Sequence, residues 1–207
     1  MSDTNVLEAD LNKFDQRLNT SPFEPRLYIN RGMMYFKLGR LKDSLKDFNK
    51  AEELNPQLTP YLWQRGLTYY YLEKYAKAAR QFELNLSIQS QALESTLWFF
   101  LCIAQLEDVN SARECLLPIR DDVRPYMHQI YKVFSGAYSP DVLHNLNGNC
   151  DRYQLFYSNF YSGLYHEVQG DDETSSFLIA KAIHNRIDEY MWYVACTHQS
   201  LKNNKLV

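Results

Sequence analysis

The side chains able to do chemistry here are five histidines, four cysteines and a short carboxylate run, and their spacing is the first thing to test. His166 and Glu167, in "YHEVQGD", begin like the H-E-x-x-H zinc motif, where two histidines one helical turn apart hold the metal and the glutamate acts as base. The second histidine would fall at position 170, which is Gly170. His184 and His198 sit on different expected helices, and Cys196 and His198 are two residues apart, so on one helix they point in different directions. His128 and His144 have no neighbours at metal-ligand spacing, and no metal site is expected. Cys102, Cys115, Cys150 and Cys196 form no C-x-x-C pair, which leaves buried free thiols as the reading. No phosphate-cradling glycine loop and no G-x-S-x-G elbow occurs, since Ser162-Gly163 lies inside a helical pattern. The "DDET" run, Asp171 to Thr174, reads as a helix start, where carboxylates complement the helix dipole. One enzymatic alternative stays open, a pocket near the late helices using His128, Tyr165 and His166. No cofactor is expected.

The elements that hold these residues must then explain the rest of the chain. The sequence has 207 residues, is 45% hydrophobic and 23% charged, and carries a formal charge of −3. That composition is globular, and the charge gives no electrostatic reason to expect nucleic acid. The N-terminus "MSDTNVLEAD" lacks an apolar signal core and no apolar run reaches 18 residues, so a cytoplasmic protein without a membrane span is expected. Tyrosine stands out, with 16 copies beside 11 Phe and 3 Trp.

Gly32 lies inside "INRGMMYFKLGR", which otherwise reads as helix. Glycine there costs about 1 kcal/mol relative to alanine, so the missing side chain must serve close packing. The next such glycine is Gly66, 34 residues on, and the same offset joins Arg31 to Arg65, Tyr35 to Tyr69 and Phe48 to Phe82. A 34-residue period points to a helix–turn–helix repeat.

On these residues the chain resembles the tetratricopeptide-repeat family. Residues 25–56 carry Tyr28, Gly32, Tyr35, Gly39, Ser44, Phe48, Ala51 and Pro56 at that family's marked positions, and residues 59–90 match again, departing at Glu73, Asn85 and Ser90. The resemblance implies an all-α fold, a right-handed superhelix of stacked antiparallel pairs, helix A then helix B, in which the glycines let each helix A approach its neighbours. The second half is more weakly similar to bacterial envelope lipoproteins that use such repeats as adaptors and dimerise, in "TLWFFLCIAQLE" and "NFYSGLYHEVQGD", although the signal sequence and lipidated cysteine of that group are missing.

One repeat domain over 1–207 is therefore expected. Leu7, Leu11, Phe14 and Leu18 form the apolar stripe of a capping helix over 4–19. Two repeats follow at 25–56 and 59–90, then divergent hairpins over 93–150. These comprise a buried helix at 97–106, a shorter one at 112–117, a helix opened by Pro125 and closed by Gly136, and one begun by Ser139-Pro140 and closed near Gly148. A late repeat occupies 151–187, where Gly163, Gly170, Ser175 and Ala182 reproduce the spacing of Gly32, Gly39, Ser44 and Ala51. A capping helix over 188–203 ends the domain.

In this family the A helices line a concave groove that holds peptides. Carried over by position, the groove residues are Arg26, Ile29, Met33, Phe36 and Lys37, then Trp63, Leu67, Tyr70 and Tyr71, then Phe160, Leu164 and Glu167. The family's best-known mode clamps a terminal carboxylate with Lys and Asn at the first two inner positions, which here are Ile29 and Met33. An apolar peptide or partner helix fits better. Trp63, Tyr70 and Tyr71 are also readable as core, with Val6 to Leu18 closing the groove, although spaced aromatics of this kind favour a contact surface. The expected function is a non-catalytic scaffold or adaptor binding a protein partner, with a homodimer or larger self-assembly as the alternative.

Overall fold

A computed structural model describes residues 3–120, 122, 124–143 and 150–205. Every regular element among the described residues is helical. The contacts divide the chain into two compact units, Met1–Ile88 and Gln89–Val207, where the sequence reading treats 1–207 as one body.

Unit 1 contains α1 (Asp3–Thr20), α2 (Pro25–Lys37), α3 (Leu41–Leu54), a 3-10 turn at Pro56–Tyr61, α4 (Trp63–Tyr71) and α5 (Tyr75–Ile88). Pro25 opens α2 behind Glu24, whose carboxylate accepts from the Arg26 amide at 3.2 Å. The helix closes on Gly39, at φ +72, with the Arg40 amide donating to the Tyr35 carbonyl at 2.8 Å. The second hairpin closes identically, Lys74 to Tyr69 at 2.9 Å, but with Glu73 in the left-handed conformation at φ +57. The departure from glycine noted at this position changes the energy of the turn and leaves its geometry intact.

Gly32 and Gly66 do pack tightly, and each one's partner is helix B of its own hairpin. A Cβ on Gly32 would meet the Ser44 carbonyl oxygen at 3.2 Å and the Phe48 ring at 3.3 Å. On Gly66 it would meet the Phe82 ring at 2.7 Å. Phe48 and Phe82 have no exposed surface, so neither ring has room to retreat. Asn85, where the family has alanine, is buried and donates to the Pro60 carbonyl at 2.9 Å, fixing the connection between the hairpins.

The two arginines beside these glycines link successive B helices. Arg65 reaches forward to Gln81 of α5 (2.9 Å) and back to Glu52 (2.6 and 2.9 Å) and Asn49 (3.3 Å) of α3. Arg31 reaches forward to Asp47 of α3 (2.7 and 2.8 Å) and back to Asp15 of α1 (2.7 Å). Asp15 precedes Asn49 by one 34-residue period, as Leu7 precedes Leu41 and Phe14 precedes Phe48. The capping helix α1 is thus a helix B in register, packed on α2 through buried Leu7, Leu11 and Leu18.

Unit 2 contains α6 (Leu93–Leu106), α7 (Val109–Glu114), α8 (Pro125–Phe134), a 3-10 turn at Pro140–Leu143, α9 (Arg152–Val168), α10 (Asp172–His184) and α11 (Tyr190–Lys205). The helix expected at 112–117 starts earlier, at Val109, because the Asp108 carboxylate caps the amides of Asn110 (2.7 Å) and Ser111 (2.9 Å), and it ends at Glu114. Ser139-Pro140 opens only the 3-10 turn, and the expected continuation to Gly148, with His144, falls on 144–149, outside the described residues. Phe100 stands where the period would place glycine. Its ring meets Phe134 (5.0 Å) and Tyr165 (6.4 Å), so it fills space against α8 and α9. Tyr126 stacks on Tyr157 and Phe134 packs on Tyr165; the pairs ascend together, so α8 and α9 run in the same direction, as successive A helices would. The late hairpin repeats the first, since a Cβ on Gly163 would meet Ile179 at 2.9 Å and the Ser175 carbonyl at 3.2 Å, and Gly170 sits at φ +83.

A non-glycine residue in the left-handed region costs about 1–2 kcal/mol, offset in part by the greater freedom of an unfolded glycine. Glu73→Gly is expected to raise stability by about 0.5–1 kcal/mol in chemical denaturation, and unchanged or lower stability would contradict this account of the turn.

Candidate functional site

The residues carried over as groove-lining separate into three groups. Phe36 and Leu67 have no exposed surface and Tyr70 has 4%, so these three pack the interior of unit 1. Phe160 and Leu164 are likewise fully buried, in unit 2, where Phe160 packs on Trp98 and Phe156. Arg26 is exposed, while Ile29, Met33, Lys37, Trp63 and Tyr71 are partly exposed. Periodicity groups residues onto one face of a helix, but it does not report whether a neighbour already covers that face.

The partly exposed residues share one side of unit 1. The Gln64 amide donates to Met33 Sδ at 3.7 Å, and Phe36 meets Tyr71 edge-on at 5.9 Å, so α2 and α4 lie side by side in the same direction. On α2, Arg26, Asn30, Met33 and Lys37 recur at steps of four, three and four, which makes a continuous stripe. Asn30 and Gln64 are members of this face that the sequence reading omits, although the 34-residue offset between them carries the signal. The helix α1 lies on the flank of α2 and runs antiparallel to it, with Asp15 bonded to Arg31 and Asp10 acting on the Lys37 ammonium. Burial is the larger influence on Lys37 and holds its pKa below the usual lysine value.

Glu167 is positioned for structure. Its carboxylate, 9% exposed, receives Lys202 Nζ of α11 at 2.5 Å, and His198 Nε2 stands at 3.8 Å. Lys202 also reaches Asp172 at 3.3 Å, and its pKa is raised by these carboxylates against the effect of burial. The late repeat's inner position is therefore closed by α11.

The enzymatic alternative places its three residues on separate tasks. Tyr165 OH accepts from Arg113 at 2.6 Å, His166 Nδ1 is 3.1 Å from Asp171, and His128 stacks on Tyr131 at 6.1 Å. Asp171 also caps α10 by accepting from the Thr174 amide at 3.1 Å, so "DDET" is a helix start. Among the described residues, no group of three His, Cys, Asp or Glu side chains could hold a metal. No helix among them is long and apolar enough to cross a membrane.

The tetratricopeptide-repeat profile matches residues 25–58, which is α2, α3 and the start of the 3-10 turn. The chain carries a tetratricopeptide repeat. Similar proteins include the Hsp70-Hsp90 organizing protein of Triticum aestivum, 27% identical over 97 residues, 47% of this chain and 17% of the relative. A protein SGT1 homolog of Oryza sativa subsp. japonica is 33% identical over 84 residues, 41% of this chain and 22% of the relative. A BBSome complex member BBS4 homolog of Drosophila melanogaster is 25% identical over 108 residues, 52% of this chain and 22% of the relative. The chain thus spans about a fifth of the length of these relatives.

Removing a cation from a nearly buried carboxylate leaves an uncompensated charge, a cost moderated here because Lys202 is partly solvated. Lys202→Met is expected to lower unfolding stability by about 1–2 kcal/mol, measured by denaturant titration. No loss would mean that Glu167 is free to serve a ligand.

Proposed function

We propose that the chain is a non-catalytic adaptor that holds a protein partner on the α2–α4 face of unit 1. The observation that carries this reading is the Met33–Gln64 contact, which aligns the partly exposed Ile29 and Met33 with Trp63 and Tyr71. Aromatic and thioether side chains of this kind give large contact area at modest entropic cost. Arg26 and Asn30 supply polar contacts along the same stripe. The names of relatives support a role among other proteins, since one is called an organizing protein for Hsp70 and Hsp90 and another a member of a complex. Ile29 and Met33 offer no charge to a terminal carboxylate, so the partner segment is apolar in its central contacts.

The tyrosines and phenylalanines that the sequence offers as groove residues divide under this reading. Phe36, Leu67 and Tyr70 hold the face in shape, and Met33, Trp63 and Tyr71 meet the partner. The double change Met33→Ala, Trp63→Ala, made in the full chain, is expected to weaken partner capture by at least about tenfold, since buried aromatic anchors each contribute ~1–2 kcal/mol or more. Far-UV helicity should stay at the parent value. Retained capture of the same partners by the double variant would sink the assignment.

A further inference from the structure

The outer face of α3 carries a second feature that the adaptor face does not use. Lys42, Lys46 and Lys50 recur every fourth residue, forming a ridge about 12 Å long at 1.5 Å per residue. They border a depression of about 690 Å³ whose lining includes Leu45, Asn49 and Tyr28. The other charges of this depression are compensated. Arg31 is bonded to both Asp47 and Asp15, and Lys50 pairs with Glu53 at 2.6 Å. Lys42 and Lys46 are exposed and make no ion pair among the described residues. Two exposed cations one turn apart, of which only Lys46 acts on a buried carboxylate, that of Asp47, are on a chain of net charge −3 a local exception that favours a negatively charged ligand.

We infer that this ridge docks an acidic segment of a partner protein. Lysines at about 6 Å intervals match carboxylates on every fourth residue of a helix or every second residue of a strand. Leu45, partly exposed between Lys42 and Lys46, and the Tyr28 ring give such a segment an apolar contact that a free anion would not use. The lysines of the ridge lie on helix B, and none of the residues assigned to the α2–α4 face lines this depression.

The test uses the full chain and a fluorescent ten-residue oligoglutamate. Saturable binding is expected, weakening by about tenfold or more between about 50 and about 300 mM salt, as charges separated by more than a Debye length become screened. Lys42→Glu with Lys46→Glu should abolish it, and Lys42→Gln with Lys46→Gln should weaken it while leaving helicity unchanged; if the reversal variant misfolds, the neutral variant decides. Leu45→Ala should weaken binding in a salt-independent manner. The proposal is overturned by an absence of saturable binding, by unchanged affinity in the neutral variant, or by equal affinity for a single-stranded RNA oligonucleotide or for inorganic phosphate. It is also overturned if the parent chain self-associates and the lysine changes abolish that association, since the occupant is then a second copy.

Discussion

Unit 1 depends on one repeated arrangement: a helix A brought so close to its helix B that a Cβ would crowd the facing helix, with an arginine beside it that reaches two B helices at once. Gly32 faces the Ser44 carbonyl and Phe48, Gly66 faces Phe82, and Arg31 and Arg65 bond forward and backward across neighbouring layers. The glycine removes volume so that the backbones approach, and the arginine then satisfies polar groups that this approach would otherwise bury without partners. Steric and polar requirements fall on adjacent residues of one turn, which is why the period survives in residue identity as well as in apolar pattern.

Much of this was legible in the sequence because its causes are local. Glycine at a left-handed turn, proline at a helix start and a 34-residue offset of Gly, Arg, Tyr and Phe each leave a mark on individual residues. The role of α1 was less legible. It was readable as an apolar stripe, but a helix B carries no such glycine to announce a repeat, and the Asp15–Arg31 bond is what ties its register to the layers that follow. The groove was the least legible part. Phe36, Leu67, Tyr70, Phe160 and Leu164 occupy inner positions by spacing, yet their burial is decided by side chains far away in sequence, such as Trp98 beside Phe160.

Unit 2 shows what happens when the steric half of the arrangement is absent. With Phe100 in place of glycine, α6 packs through aromatic rings onto α8 and α9, and α7 spans only Val109–Glu114. The late hairpin regains Gly163 and with it the close approach to Ile179 and Ser175. The consequence for function is that the inner positions of unit 2 are spent on packing and on the Glu167–Lys202 pair, whereas unit 1 keeps side chains available at its surface.

The claim that the arginines tie successive layers together is tested most directly by double-mutant cycles on Arg65, pairing it once with Glu52 and once with Gln81, in chemical denaturation of the full chain. The account predicts a coupling of about 1 kcal/mol or more in both cycles, because bonds to a charged, nearly buried guanidinium are worth about 1.5–3 kcal/mol and Glu52 is partly solvated. A coupling in either cycle of less than about 0.5 kcal/mol, the level at which independent sites simply add, would contradict it.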